Sequence, residues 1–299
     1  MDELTAAGIT EPGLRASYEE CKRLNSLHGK TYYLATLLLP PEKRPFVHAL
    51  YGFARYADEI VDDLESTLSQ SQKADLLGRW GAGIMADLAV GRSSDHVGRA
   101  LADTVTRFNI PLEYFQSFLD SMTMDLTISE YQTFDELMKY VYGSACVIGL
   151  QMVPILGPLS PEAYAPAEKL GAAFQLANFI RDVGEDLERG RIYLPLDELE
   201  SFGVTKSMLM SRKLTPEIIA ALKFQIARVR SLQKESEPGI LQLQASSRAC
   251  IEAASELYCG IVDEVEKIGY DIFNRRAKTS TWRRIKVALP ALIRARKAR

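Results

Sequence analysis

Apolar residues recur at intervals of three and four along almost the whole chain, and alternating, strand-like patterns are nearly absent. That spacing puts one apolar face on each helix, so it restricts the fold to helices packed on helices. It predicts helices over residues 14–27, 43–67, 71–90, 95–107, 111–123, 134–156, 161–188, 215–247, 248–273 and 279–297. Pro40, Pro41, Pro111, Pro158, Pro161 and Pro195 fall at helix ends, whereas Pro154 stands inside one and should kink it. No repeat, low-complexity tract or Gly/Ser linker divides the 299 residues, so the expectation is an all-α fold in a single domain spanning 1–299. At 47% hydrophobic and 25% charged, such a chain can bury a large core.

The opening "MDELTAAGIT" is neither basic nor followed by an apolar run, unlike a targeting peptide, and no segment offers the ~20 uninterrupted apolar residues of a membrane span. Cys21, Cys146, Cys250 and Cys259 lie apart in apolar-patterned segments and form no C-x-x-C pair, which points to buried reduced thiols and a cytoplasmic setting. Charge is distributed unevenly. Residues 275–299 hold ten Lys or Arg and no acid, which leaves 26 basic against 39 acidic residues in the first 274. This basic amphipathic segment, with Trp282, Ile285, Val287, Leu289, Leu292 and Ile293 among its bases, fits either a solvated terminal helix or a peripheral seat on anionic lipid at the inner face of the cell membrane. The acidic remainder argues against nucleic acid as a partner.

Two helices carry a polar stripe that their apolar faces do not explain. At ~100° per residue, Tyr51, Arg55, Asp58 and Asp62 of "YGFARYADEIVDD" fall within about 60° of one another, and Gln175, Asn178, Asp182 and Asp186 of "QLANFIRDVGED" within about 80°. Carboxylates one turn apart repel by roughly 0.2–0.5 kcal/mol when exposed and by more when desolvated. Each stripe is therefore a defect unless a cation sits on it. Oxygen-only ligands favour Mg²⁺ or Mn²⁺, which keep several waters and complete their shell with phosphate oxygens. Zinc does not fit, because His28, His48 and His96 are scattered, and a di-iron centre lacks the E-x-x-H spacing. Arg55, Arg181, Arg189 and Arg191 lie beside the stripes, as a polyanionic ligand such as a diphosphate requires. Metal and arginine together would stabilise a departing diphosphate and leave a carbocation in an apolar cavity.

"DEIVD" (58–62), followed far downstream by "QLANFIRDVGEDLERGRIYLP" (175–195), resembles the paired signatures of the squalene and phytoene synthase family, the head-to-head isoprenyl diphosphate synthases. "HGKTYYLATLLLP" (28–40) and the "MDL...Y.TFDEL..Y.YGSA..IGLQ..PILG" run (124–157) extend the likeness over most of the chain, which looks most similar to bacterial phytoene synthases. The resemblance implies an isoprenoid synthase fold around a central cavity. It also implies condensation of two geranylgeranyl diphosphates to phytoene through a cyclopropyl diphosphate, without NADPH and in carotenoid biosynthesis, with downstream carotenoid enzymes as partners. By motif match, Asp58, Asp62, Asn178 and Asp182 would hold the metal and Asp186 would support them. Tyr51, Arg55, Gln175, Arg181, His28, Thr31 and Arg275 would hold diphosphates; Tyr32, Tyr140 and Tyr258 would line the cavity.

Two departures bear on cavity depth: Gly143, Ser144, Ala145 and Cys146 stand where many relatives read "VAG", and Thr123 stands where relatives often have Arg. "GAGIMA" (81–86) resembles a dinucleotide-binding turn but follows a helical pattern rather than a strand. Squalene or dehydrosqualene formation from two farnesyl diphosphates is the alternative reaction. A prenyl-lipid binder without turnover is the alternative class, although a binder has no need of two metal clusters.

Overall fold

Side-chain oxygens placed just ahead of apolar runs start many of the helices. The computed structural model describes residues 2–62 and 67–298, apart from the side chains of Lys30 and Asp62. Within them run α1 (Glu3–Ala6), α2 (Pro12–His28), α3 (Lys30–Thr36), α4 (Arg44–Asp62), α5 (Gln70–Val90), α6 (His96–Phe108), α7 (Leu112–Asp125), α8 (Phe134–Val141) and α9 (Val147–Leu156). They are followed by α10 (Tyr164–Glu188), α11 (Leu196–Ser201), α12 (Lys206–Met210), α13 (Pro216–Ile240), α14 (Ala245–Cys259), α15 (Ile261–Lys267) and α16 (Thr281–Lys297). Ser69 and Gln72 cap α5 reciprocally, and Asp95, Thr133, Thr215 and Ser280 each accept a first-turn N–H, contacts worth about 1 kcal/mol apiece. Among the described residues, pairing of extended backbone is limited to two isolated bridges, Glu130 with Ile192 and Pro158 with Leu243.

The differences from the sequence reading have physical causes. Helices α1, α3, α11 and α12 span seven residues or fewer, too short to show a period. The predicted helix 43–67 is described only to Asp62, and residues 67–69 are not helical. The boundary expected near 247 falls instead at Leu241–Gln244. There the backbone bonds to a neighbouring loop, with Leu159 N donating to Gln242 O at 2.7 Å and Gln244 N donating to Gly157 O at 2.8 Å. Pro238 and Pro290, like Pro154, stand inside helices. The glycines of "GAGIMA" lie in the middle of α5, where Gly81 packs against Leu119. All four cysteines are buried and unpaired.

The predicted helix 134–156 is continuous but interrupted by a π-helical turn, Tyr142–Cys146, between α8 and α9. Among the described residues this is the one stretch with the length and apolarity of a membrane span, and it lies mostly inside the bundle, between α7 and α10. Its wide turn fits because small residues meet there. A Cβ on Gly143 would come within 2.1 Å of Ser117 O, and one on Gly171 of α10 within 2.6 Å of Ala145 O. Helix α10 occupies the centre, with α13, α14, α15 and the π turn around it, while α2, α4, α5, α6 and α7 form the opposite side. Space remains between α4 and α10.

Candidate active site

The two polar stripes face one cavity of about 350 Å³. Helix α4 contributes Tyr51, Arg55 and Asp58; α10 contributes Gln175, Asn178, Arg181, Asp182 and Asp186. Asp62 follows Asp58 by one turn, but its side chain lies outside the described residues. The carboxylates are held by guanidinium groups. Arg55 Nη1 donates to Asp58 Oδ2 at 2.8 Å, Arg181 Nε to Asp182 Oδ1 at 2.7 Å, and Arg276 Nε to the same Asp182 oxygen at 3.0 Å. Burial first, and then the charge of Asp182, push Asp186 up to about 7 against the pull of Arg189 and Arg191.

Arg275 and Arg276, which follow the Asp271–Asn274 turn, are both exposed, and it is Arg276 that reaches Asp182. His28 is exposed at the end of α2 and Thr31 is half-buried in α3; neither belongs to the wall of this cavity or of the apolar one beside it. Tyr140 does line this one, and its hydroxyl donates to Asp125 Oδ2 at 2.9 Å. Burial, then the Asp125 charge, raises the phenol well above its ordinary value, so it stays neutral.

Asp125, at the C-terminal end of α7, lines the same cavity; it falls inside the 124–157 run, whose resemblance implies no role for it. It also accepts from Tyr193 Oη at 2.8 Å, and Arg191 Nη2 donates to its backbone carbonyl at 3.0 Å. Tyr193 stacks face to face on Phe179 with ring centroids 4.2 Å apart, and Tyr131 and Tyr140 complete the aromatic wall. The available signal was a carboxylate at the end of a helix whose other buried positions are apolar or small.

A second cavity of about 320 Å³, with an almost wholly apolar lining, adjoins the first; Tyr51, Ala54, Phe118, Ser144, Gln175 and Asn178 belong to both walls. Along α10 its lining runs Asn178, Gln175, Phe174, Gly171, Leu170, Ala167 and Pro166, a rise of about 18 Å, and Ala163 of the short turn that precedes the helix extends it. Tyr32 lines this cavity and packs at a tilt on Tyr258, which packs in turn on Phe174, both at 4.9 Å; Tyr258, expected in the lining, belongs to neither wall. Ser144 and Ala145 of the π turn face this chamber.

Whether a cation fits can be tested on the donors. Among the described residues no three Asp, Glu, His or Cys form a ready-made metal cluster. The donors of the polar cavity are nevertheless hard oxygens, and Asn178 Oδ1 is buried there without a hydrogen-bond partner among the described residues. Arg55, Arg181, Arg189 and Arg191 balance Asp58, Asp125, Asp182 and Asp186 in its wall, so a bound diphosphate brings uncompensated negative charge. The residues therefore fit a small dication that binds through one or two carboxylates and the ligand's own oxygens.

The chain matches the squalene/phytoene synthase family over residues 26–283. It is 36% identical over 293 residues to the phytoene synthase of Arthrospira platensis, covering 94% of each protein. It is 39% identical over 284 residues to the chloroplastic phytoene synthase of Narcissus pseudonarcissus, covering 93% of this chain and 66% of that protein, so it spans just under two thirds of the plant relative's length. Among solved structures it resembles a dehydrosqualene synthase in complex with ligand, with a TM-score of 0.85 at 26% identity, covering 95% of this chain and 98% of that one. A squalene synthase from Alicyclobacillus acidocaldarius shares the fold, with a TM-score of 0.81 at 24% identity, covering 89% of this chain and 98% of that one.

Proposed function

The chain belongs to the squalene/phytoene synthase family, and from that premise we propose that it is a phytoene-forming prenyltransferase, joining two geranylgeranyl diphosphates head to head. The observation that carries the reading is the junction of an arginine- and aspartate-lined mouth with an apolar chamber whose lining follows about 18 Å of α10 and continues to Ala163. An extended C20 prenyl chain has sixteen backbone carbons joined by bonds of about 1.5 Å and, allowing for the zigzag, spans roughly 19 Å; a C15 chain spans roughly 14 Å. The chamber takes the longer chain with its diphosphate at Asn178.

Arg55, Arg181 and Arg276 orient the diphosphate at the mouth, sharing guanidinium protons between its oxygens and Asp58 and Asp182. Asp58, Asn178 and Asp182, supported by Asp186, would hold Mg²⁺ or Mn²⁺, which when bound supplies positive charge to the leaving diphosphate. The allylic C–O bond breaks and both its electrons leave with the diphosphate. Tyr51 and Phe118, shared by the two cavities, offer π faces to the cation, each worth ~2 kcal/mol or more in a dry site. The second substrate's double bond attacks the cation, and proton loss closes the cyclopropane. The second diphosphate then departs, and rearrangement with loss of another proton gives the C40 triene core. Tyr140 stays protonated, held by Asp125, and so presents a neutral π face rather than a nucleophilic phenolate.

The test is to incubate the protein and Mg²⁺ with geranylgeranyl or farnesyl diphosphate, each with and without NADPH, and to identify the hydrocarbons by mass. Phytoene from the C20 substrate without NADPH is the expected result. A C30 product alone moves the assignment to squalene or dehydrosqualene synthesis, the reaction of the structural neighbours; no product from either substrate means a prenyl-lipid binder.

A further inference from the structure

Helix α16 is apolar on two opposite faces. Val287, Ala291 and Ala295 are buried against α14, and Arg283 fixes the helix by donating to Asp263 at 2.7 Å and to Glu264 at 3.0 Å. The outward face carries Trp282, Ile285, Leu289 and Ile293, which are 74%, 47%, 57% and 50% exposed and lie within about 80° of one another. Lys286, Arg296 and Lys297 stand within about 80° of the centre of that stripe and form no ion pair with any described residue. A helix that is merely solvated would not keep four large apolar side chains in one exposed row.

We propose that this outward face is a docking surface for an anionic lipid bilayer, with Trp282, Ile285, Leu289 and Ile293 entering the headgroup–acyl boundary and Lys286, Arg296 and Lys297 meeting lipid phosphates. Charge complementarity selects this occupant: residues 275–299 are basic without an acid, and pairing two copies stripe to stripe would set these cations against one another. Position supports it. Helix α14 lies between α16 and the chamber, since Cys250, Ile251 and Ala254 line the chamber while Ala249 and Ala253 belong to the apolar cluster under α16. Beside α14, packed on it by the 3.2 Å contact of Cys250 Sγ with Ala35 O, α3 exposes Leu34 at 59%. Resting on the proposed reaction, this arrangement brings the chamber wall against the phase into which a hydrocarbon without polar groups partitions.

The experiment is co-flotation of the full chain with vesicles of phosphatidylcholine alone or with phosphatidylglycerol, alongside Trp emission. Partition at least tenfold greater on the anionic vesicles is expected, with a blue shift that Trp282→Phe removes. The combined variant Ile285→Ser, Leu289→Ser and Ile293→Ser should lose at least tenfold in partition at an unchanged melting temperature, because these side chains are exposed, and should keep turnover on detergent-dispersed substrate. Lys286→Glu with Arg296→Glu and Lys297→Glu should abolish the preference for phosphatidylglycerol. Equal partition of parent and serine variant overturns the proposal, as does conversion of a dimer to a monomer by the serine substitutions, which would make the stripe an interface between copies. Flotation does not depend on turnover, so an inactive protein that still binds anionic vesicles would refute the reaction and leave the docking surface standing.

Discussion

Ala167→Phe should turn a C20-accepting chamber into a C15-accepting one. Ala167 lines the chamber eleven residues below Asn178, a rise of about 16 Å along α10. A chain of roughly 19 Å bound with its diphosphate at Asn178 must pass this position, whereas one of roughly 14 Å stops short of it. A phenyl ring grown from this lining position fills chamber volume, and α9 approaches it at Gly149, which also lines the chamber. What the C20 chain loses is burial of its terminal isoprene unit, five carbons at about 0.8 kcal/mol each, or roughly 4 kcal/mol. At 1.4 kcal/mol per decade this predicts a fall of about 10²–10³ in kcat/KM for geranylgeranyl diphosphate relative to farnesyl diphosphate. The assay measures product formation from the two substrates in competition, with the melting temperature as a check on folding. A well-folded variant that keeps the parent's C20 preference would refute the argument that the chamber along α10 measures chain length.

Asp125→Ala strands the buried hydroxyls of Tyr140 and Tyr193, at about 1–3 kcal/mol each, so denaturant titration should show a loss of about 2–6 kcal/mol; a loss below 0.5 kcal/mol would mean that the phenols find other partners. Asp58→Asn and Asp182→Asn should each abolish turnover with Mg²⁺ while leaving the circular dichroism spectrum unchanged, and normal turnover in either would refute the metal assignment. His48 is buried, bonded to Asn25 and stacked on Tyr33, and burial lowers its pKa from the ordinary 6.5 to about 4. Between those values the unfolded chain binds the extra proton, so this group's contribution to stability falls as pH drops, by about 3 kcal/mol at pH 4. His48→Phe should accordingly lose about 3 kcal/mol less than the parent between pH 7 and 4, and parallel stability curves would exclude the buried neutral imidazole.

The fold was legible because helical periodicity reports burial, and burial on one face is what most of these helices do. Helices α2, α5, α6 and α7 fall within two residues of their predicted limits. The period carries no information where neighbouring chain decides the backbone, as at Leu241–Gln244, where the 157–159 loop supplies the competing hydrogen bonds. Nor does it reveal the π turn at Tyr142–Cys146. That turn becomes possible because Gly143 meets α7 and Gly171 meets Ala145, two approaches contributed by sequence 26 or more residues away.

The candidate site divides along the same physical line. Asp58 with Arg55, and Gln175, Asn178, Asp182 and Asp186, were visible because like charges repeated one turn apart violate the pattern of their own helix, a local anomaly that needs no partner to be noticed. Asp125 repeats no like charge one turn away, and a single carboxylate at a helix end is a weak local mark. It becomes a site residue only where Tyr140 of α8, Tyr193 of the loop after α10 and its own helix end converge, and Arg276 likewise acquires its role from the turn that brings it to Asp182. The stripes bring charge to the polar cavity, whereas Asp125 holds that cavity's aromatic wall through Tyr140 and Tyr193. A residue of the second kind is set by packing between segments, so a sequence motif can mark its position without revealing what it does.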